Sequence, residues 1–324
     1  MDHEWHAIVN PVAGGGRTRK IWPNIAERMR NRGFRLHLHE TSEIGDATEI
    51  ARRIVAEGIR EIVVVGGDGT LNEVVNGIVE KDAVSTADVV LSLIPCGTGR
   101  DFARTLGIQG PEHAVDVIAD GSVRSVDIGS ISYLNDGNET QRFFVNVADV
   151  GLGAETAAWM NHSSKRLGGF LGYLVAAMRT ILVFSGRDTR VTIDGRVVHD
   201  GSADMVVLAN GRFFAGGMRI APTASICDGK FDVFVLDDVA KYTLLLSLLP
   251  KVYRGKHVGH PAVHHYQGTN VEIHSPDALP FEVDGEQPGS TDIFATVRSG
   301  SLKVRAPVPA NASEESRFDQ RLTV

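Results

Sequence analysis

The residues most able to do chemistry lie in one stretch, Val63 to Gly77, VVVGGDGTLNEVVNG. Gly66, Gly67, Asp68 and Gly69 are suited to a tight loop with exposed backbone. Thr70 and Glu73 follow in the T-x-x-E spacing of a capping box, which predicts a helix start. The unpaired N–H groups of such a start face the loop, and that arrangement attracts anions, phosphate above all. Asp68 is the odd member. An acid among phosphate-seeking amides repels phosphate unless a divalent cation lies between them or the acid takes a proton, so Asp68 reads as a metal- or proton-handling group. The competing reading is a helix-entry turn whose acid complements the helix dipole.

The elements that must position this loop follow from pattern. Ile62 to Val65 is an apolar run expected of a buried parallel strand. Leu71, Val74, Val75, Ile78 and Val79 give the next helix an apolar face. A second strand, loop and helix comes earlier: Ala7 to Val9, then Asn10-Pro11-Val12-Ala13-Gly14-Gly15-Gly16, then a helix from about Thr18 to Asn31. Arg17, Arg19 and Lys20 after this loop could meet phosphate or simply solvent. Neither G-x-G-x-x-G nor G-x-x-x-x-G-K-[ST] occurs. Arg35 to His39 reads as a strand, Asp46 to Glu57 as a helix and Val89 to Ile94 as a strand, with a third glycine turn in Pro95 to Phe102. Alternating strands and helices predict a right-handed parallel α/β sheet, with ligands beyond the carboxyl ends of its strands. Three glycine loops would then wall one crevice.

From about Val123 short strands dominate: Val126–Tyr133, Arg142–Val147, Arg190–Ile193, Val197–His199, Met205–Ala209, Phe231–Leu236, Val271–His274, Phe281–Val283, Ile293–Val297 and Leu302–Val304. Asp194-Gly195 is a hairpin turn by composition. This density predicts an antiparallel sandwich, interrupted by apolar helices over Glu155–Phe184 and about Tyr242–Tyr253. These helices could be core, could line an acyl-chain pocket, or could touch a bilayer. The expected domains are residues 1–122, residues 123–306 with the last strands free to return to the first domain, and a polar tail over 307–324.

At 324 residues the chain is long enough for two domains, and 43% hydrophobic with 23% charged residues suits a soluble globular protein. A formal net charge of -7 gives no support to a nucleic-acid partner. Two cysteines, Cys96 and Cys227, make no disulfide framework. The charged N-terminus is no signal peptide, and the apolar run Leu167 to Phe184, interrupted by Arg179, falls short of a membrane span. A cytoplasmic protein is expected. Cys96 reads as a small apolar filler. His257, His260, His264 and His265 are dense but lack zinc-site spacing.

Together, Asn10-Pro11 with its trailing glycines, GGDGTLNEV at Gly66 to Val74, P-x-G-T-x-x-D-F-A at Pro95 to Ala103 and Asp284-Gly285-Glu286 resemble the catalytic family of diacylglycerol and related lipid kinases, which includes soluble bacterial lipid kinases and is similar to sphingosine and ceramide kinases. The resemblance covers roughly residues 5 to 305. GGDGT alone is shared with NAD kinases and phosphofructokinases. The ordered set of four motifs is more specific. The resemblance implies a Rossmann-like, NAD-kinase-like α/β domain, a β-rich domain, and ATP between them. It implies ATP contacts at Asn10, Pro11, Gly14, Thr41, Gly66, Gly67, Asp68, Gly69, Thr70, Glu73, Gly97 and Thr98. Asp68, Asp101 and Asp127 would hold a magnesium–water network, and hard oxygen donors suit magnesium. Ser225, Asp228 and Lys230 resemble a segment that binds a second, structural magnesium, although Asp228-Gly229 reads equally as a turn. Asp284 or Glu286 would be the general base on a lipid hydroxyl, where composition alone favours a hairpin turn. The family's usual Asn before Asp-Phe is replaced here by Arg100, which bears on substrate choice. The expected partners are a lipid substrate at a membrane surface, with peripheral association, and no nucleic acid. A homodimer is left open. An NAD kinase and a nucleotide-binding sensor without transfer activity are the alternative readings.

Overall fold

The structure is a computed structural model that describes residues 4–79, 88–162 and 170–308. The chain divides into two compact units. One runs through Asp127 and resumes at Gly300, and the other is Ile128–Ser299.

The first unit alternates strand and helix as the pattern requires: β1 (Glu4–Val9), α1 (Ala13–Asn31), β2 (Arg35–Glu40), α2 (Asp46–Ala56), β3 (Glu61–Gly66), α3 (Asp68–Ile78), β4 (Val90–Pro95), α4 (Asp101–Thr105) and α5 (Pro111–Asp120). The strands pair in parallel in the order β4-β3-β1-β2, so β2 is the edge. Ile62, Val63, Val64 and Val65 are buried, which is why β3 reads as a continuous apolar run. Ala47, Ala51 and Ile54 turn one face of α2 inward. The capping box expected at Thr70 and Glu73 is not formed. Here α3 already begins at Asp68 behind Gly67, with no side-chain cap. Asp68 and Gly69 are therefore helical rather than loop. Glu73 instead reaches the neighbouring helix, where its Oε2 accepts the Ala47 N–H at 3.2 Å.

The second unit is β-rich, as expected, but several of its strands are longer than composition suggests. After β5 (Ser122–Asn135) and β6 (Asn138–Phe144) come β7 (Val147–Gly151), α6 (Leu152–His162), α7 (Phe170–Val183), β8 (Arg187–Ile193), β9 (Arg196–Ala209), β10 (Phe231–Asp237), β11 (Val263–Gly268), β12 (Asn270–His274), β13 (Pro280–Val283), β14 (Glu286–Ser290) and β15 (Ile293–Ala306). Val197–His199 and Met205–Ala209 belong to one strand, as do Ile293–Val297 and Leu302–Val304. In the first pair the stretch Asp200–Ser202 keeps strand geometry because β8 pairs across it. Conversely, Arg142–Val147 is split, since Val145 and Asn146 lie between β6 and β7. A helical segment over 241–252 includes a π-helical turn at Leu244–Leu248. Part of the apolar run, Leu167 to Gly169, lies outside the described residues, as does the tail beyond residue 308.

Three Asp-Gly pairs, 136–137, 194–195 and 284–285, make two-residue hairpins with positive φ at both positions, the geometry that two-residue hairpins favour. Only Asp194-Gly195 was expected as such without qualification. Phe144, Phe231 and Phe281 anchor the core of this unit.

Candidate active site

In the first unit the tips of β1, β3 and β4 are packed backbone to backbone. The Cys96 and Gly97 N–H groups both donate to Gly66 O, at 2.8 and 2.9 Å. A side chain at Gly97 would overlap the Cα of Gly67, and a Cβ on Gly14 would lie 2.5 Å from Cys96 O. The tips can meet only because these positions are glycine. Gly14 also has φ +62, a region that other residues avoid. Asn10 joins the cluster sideways: its Nδ2 donates to Thr70 Oγ1 at 3.1 Å, and its Oδ1 accepts the Val12 N–H at 3.1 Å. Thr41 follows the edge strand and donates its N–H to Val9 O at 2.9 Å. Thr98 is exposed. Asn10, Gly14, Gly66, Gly67, Thr70 and Gly97 are thus brought together, while Glu73 is spent on α2.

Asp68 is not isolated among amides. Its Oδ1 accepts the N–H groups of Asp101 and Phe102 at 2.9 and 3.1 Å, so it ties β3's tip to the start of α4. Asp101 pairs with Arg104. A Cβ on Gly99 would stand 2.5 Å from Asp68 Oδ2 and 3.5 Å from Asp101 Oδ2. Two carboxylate oxygens therefore converge on a position that only glycine leaves open. Asp127 is buried and its Oδ1 accepts Gly300 N–H at 2.7 Å. Among the described residues these three acids do not form a cluster close enough to chelate one ion directly. The donor set fits a magnesium ion that keeps most of its waters, the usual habit of that cation. Arg100, just before α4, holds φ +57, a conformation that Asn accepts more readily than Arg. Burial pushes the Cys96 thiol up to about 11, which removes it as a nucleophile near neutral pH.

In the second unit the turn Asp284-Gly285 is pinned from both sides. The Asp284 carboxylate accepts three successive N–H groups, those of Val145, Asn146 and Val147, at 2.9 to 3.1 Å. Glu282 Oε1 accepts the Gly285 N–H at 2.6 Å. Glu286 is exposed at the start of β14. Sequence reasoning missed Glu282 and its cross-strand partner Asp149, both buried. Burial pushes Asp149 up to about 7, against the Glu282 hydrogen bond and the Ala154 N–H that favour its charged form. Burial and the Asp149 charge push Glu282 well up. Burial thus holds both acids of the pair above the ordinary carboxylate range. The signal was available, since both are acids inside apolar strands. Ser225, Asp228 and Lys230 share one turn, in which Asp228 Oδ1 accepts the Lys230 N–H at 3.1 Å. His257 bonds Ile220 O, His264 Asp237 and His265 Asp232, so these histidines serve separate partners.

The same unit contains an apolar cavity of about 110 Å³. Ala177 and Ile181 of α7, Leu244 and Leu248 of the 241–252 segment, and Phe214 and Phe234 are among its lining. The two apolar helices expected from sequence meet here. Their other sides leave Leu182, Val183, Tyr242 and Leu246 exposed. Among the described residues no helix is long and apolar enough to cross a membrane.

The profile of the diacylglycerol kinase catalytic domain matches residues 4–131, and that of the YegS C-terminal NAD kinase beta sandwich-like domain matches residues 146–306. A diacylglycerol kinase of Staphylococcus carnosus (strain TM300) is 31% identical over 283 residues, 87% of this chain and 88% of its own length. The chain belongs to the diacylglycerol kinase family. A crystal structure of a diacylglycerol kinase from Bacillus anthracis str. Sterne superposes with a TM-score of 0.72 at 26% identity, covering 96% of this chain and 98% of the other. Yeast NADH kinase complexed with NADH shares the fold alone, with a TM-score of 0.52 at 14% identity, over 100% of this chain and 88% of that one. Membership of this family makes the chain a lipid-kinase-type enzyme, and the NAD-kinase-like architecture expected from its motifs is present.

Proposed function

We propose that the protein transfers the γ-phosphoryl group of ATP, with Mg²⁺, to a hydroxyl of a diacylglycerol-like lipid. The observation that carries this reading is the backbone-to-backbone junction of three glycine tips beside Asp68 and Asp101. Main chain and hard oxygen donors side by side support a site for a triphosphate and its cation. Asn10, Gly14, Gly66, Gly67, Gly69, Thr70, Gly97 and Thr98 would hold the nucleotide. Asp68, Asp101 and Asp127 would hold magnesium through water, and when bound it would neutralise charge on the transferring group. The lipid hydroxyl oxygen bonds to phosphorus, the bond to the β-phosphate oxygen breaks, ADP leaves with that electron pair, and the hydroxyl proton passes to a carboxylate. We assign that carboxylate to Asp284, which the family resemblance singles out and which three amides hold in a fixed orientation and in the charged form that can take a proton.

The lipid class is supported by the cavity at α7. Its apolar lining gives the hydrocarbon part of such a lipid a surface to pack against. The exposed face of Leu182, Val183, Tyr242 and Leu246 suits a membrane surface on which such a substrate is met. Incubation with labelled ATP, Mg²⁺, NAD and diacylglycerol vesicles together, followed by mass spectrometry, tests the reading. Phosphorylated lipid is the expected product. Phosphorylated NAD, or unconsumed ATP with ATP nonetheless bound, would reject it in favour of a dinucleotide kinase or a sensor respectively.

A further inference from the structure

The first unit carries a second cluster of ligand-type side chains, away from the glycine tips and unused by the proposed reaction. On the β1–β2 pair the register sets Glu4 opposite Arg35, His6 opposite His37 and Ile8 opposite His39. Alternate residues share a face, so Glu4, His6, His37 and His39 stand together on one side of the sheet edge. The His6 ring stacks on His37 and on His39, with centroids 4.8 and 5.1 Å apart. His6 Nδ1 lies 3.0 Å from His39 Nε2, and His37 Nε2 lies 3.6 Å from Glu4 Oε2. One donor atom each from Glu4, His6 and His37 falls within 4.8 Å of the others, the one such grouping among the described residues.

We propose that Glu4, His6 and His37 bind a transition-metal dication, zinc above all, and so clamp the first strand to the edge strand. Two imidazoles and a carboxylate are a donor set that zinc accepts with water as fourth ligand, and nitrogen donors select it over magnesium. Bonds of about 2.0–2.1 Å place tetrahedral ligands about 3.3 Å apart, so the cluster must contract. Glu4 and His37 can do this, because both are about half exposed at the surface. His39 is the positioning residue. Its bond to His6 Nδ1 fixes the His6 tautomer, as outer partners of metal-bound histidines do.

The clamp lies on the two strands that lead into Asn10 and Thr41, and so it would stiffen that border of the sheet.

The test uses the full untagged chain, stripped with chelator and dialysed against buffered Zn²⁺, with bound metal measured by elemental analysis. One equivalent is expected. His37→Ala and Glu4→Gln, both at exposed positions and checked for folding by circular dichroism, should weaken binding about 100-fold or more, and His39→Ala about 10- to 100-fold. Zinc should raise the parent's melting temperature by a few degrees and leave His37→Ala unmoved. His264→Ala, which alters a separate Asp–His pair, should bind like the parent. No bound zinc in the parent would overturn the proposal and leave an ordinary His–His hydrogen bond. So would equal binding by parent and His37→Ala.

Discussion

On the proposed reading the two units meet opposite recognition problems with opposite materials. The first presents main chain. Its site is made by removing side chains at Gly14, Gly66, Gly67, Gly97 and Gly99 until strand tips touch and acids converge. The second presents side chains. Its apolar helices and strands enclose a cavity, and elsewhere in the unit a buried acid pair and three amides hold one turn. A polar, highly charged ligand needs fixed dipoles that need no reorganisation, whereas an acyl chain needs apolar area and little direction. On that reading one chain would carry both of the sites that a lipid kinase needs.

That division can be broken first at Asp284. Asp284→Asn should lower turnover about 10²- to 10⁴-fold while equilibrium ATP binding stays at the parent value. Glu286→Gln should do much less. If the two variants exchange effects in a steady-state transfer assay, the base is Glu286 and Asp284 is only a turn anchor. Gly97→Ala attacks the other unit. Its added carbon meets Gly67 backbone, so the tip must shift, and ATP affinity should fall roughly 10- to 100-fold. Calorimetric titration with ATP and with lipid analogue should show the first weakened and the second unchanged. Ala177→Leu fills the cavity of the second unit, and KM should rise severalfold for long-chain diacylglycerol while short-chain substrate and ATP are unaffected.

The smallest effect sharpens the comparison in stability alone. Asp149 is raised in the folded state to about 7, so the folded protein binds a proton that the unfolded chain gives up near the ordinary carboxylate value. Its contribution is therefore fully present below about pH 4 and fades as pH rises toward 7. Asp149→Asn should reduce that fading, with the part due to the burial of Glu282 left in place. Melting temperatures at pH 5 and pH 8 should lie closer together in the variant than in the parent, and an unchanged gap would show that folding does not raise Asp149.

The first unit was largely legible in the sequence because its chemistry depends on glycine. An apolar run that ends in Gly66-Gly67 or in Gly97-Thr98-Gly99 marks a buried strand that must turn at once with its backbone bare, and the strand bounds fell within a few residues of those observed. Its error was also local. Thr70 and Glu73 have capping-box spacing, but Gly67 caps the helix three residues earlier and Glu73 finds a better partner in α2. The second unit was legible only as texture. Ala177, Leu244 and Phe234 look like core in any sequence, because a cavity is defined by how distant elements fail to fill space. Asp149 and Glu282 become a pair only through the β7–β13 register. The same limit hid Glu4, His6 and His37, whose grouping depends on two strands about thirty residues apart, while the denser run His257 to His265 drew attention and proved to serve separate partners.

The most direct measurement is a double photolabelling of the intact protein with an azido-ATP and a photoreactive diacylglycerol, followed by peptide mapping. The nucleotide label should fall on peptides that contain Asn10–Thr18, Gly66–Glu73 and Pro95–Asp101, and the lipid label on peptides from Leu152 to Val263. Lipid label concentrated on the glycine tips, or nucleotide label confined to the β-rich unit, would contradict the account.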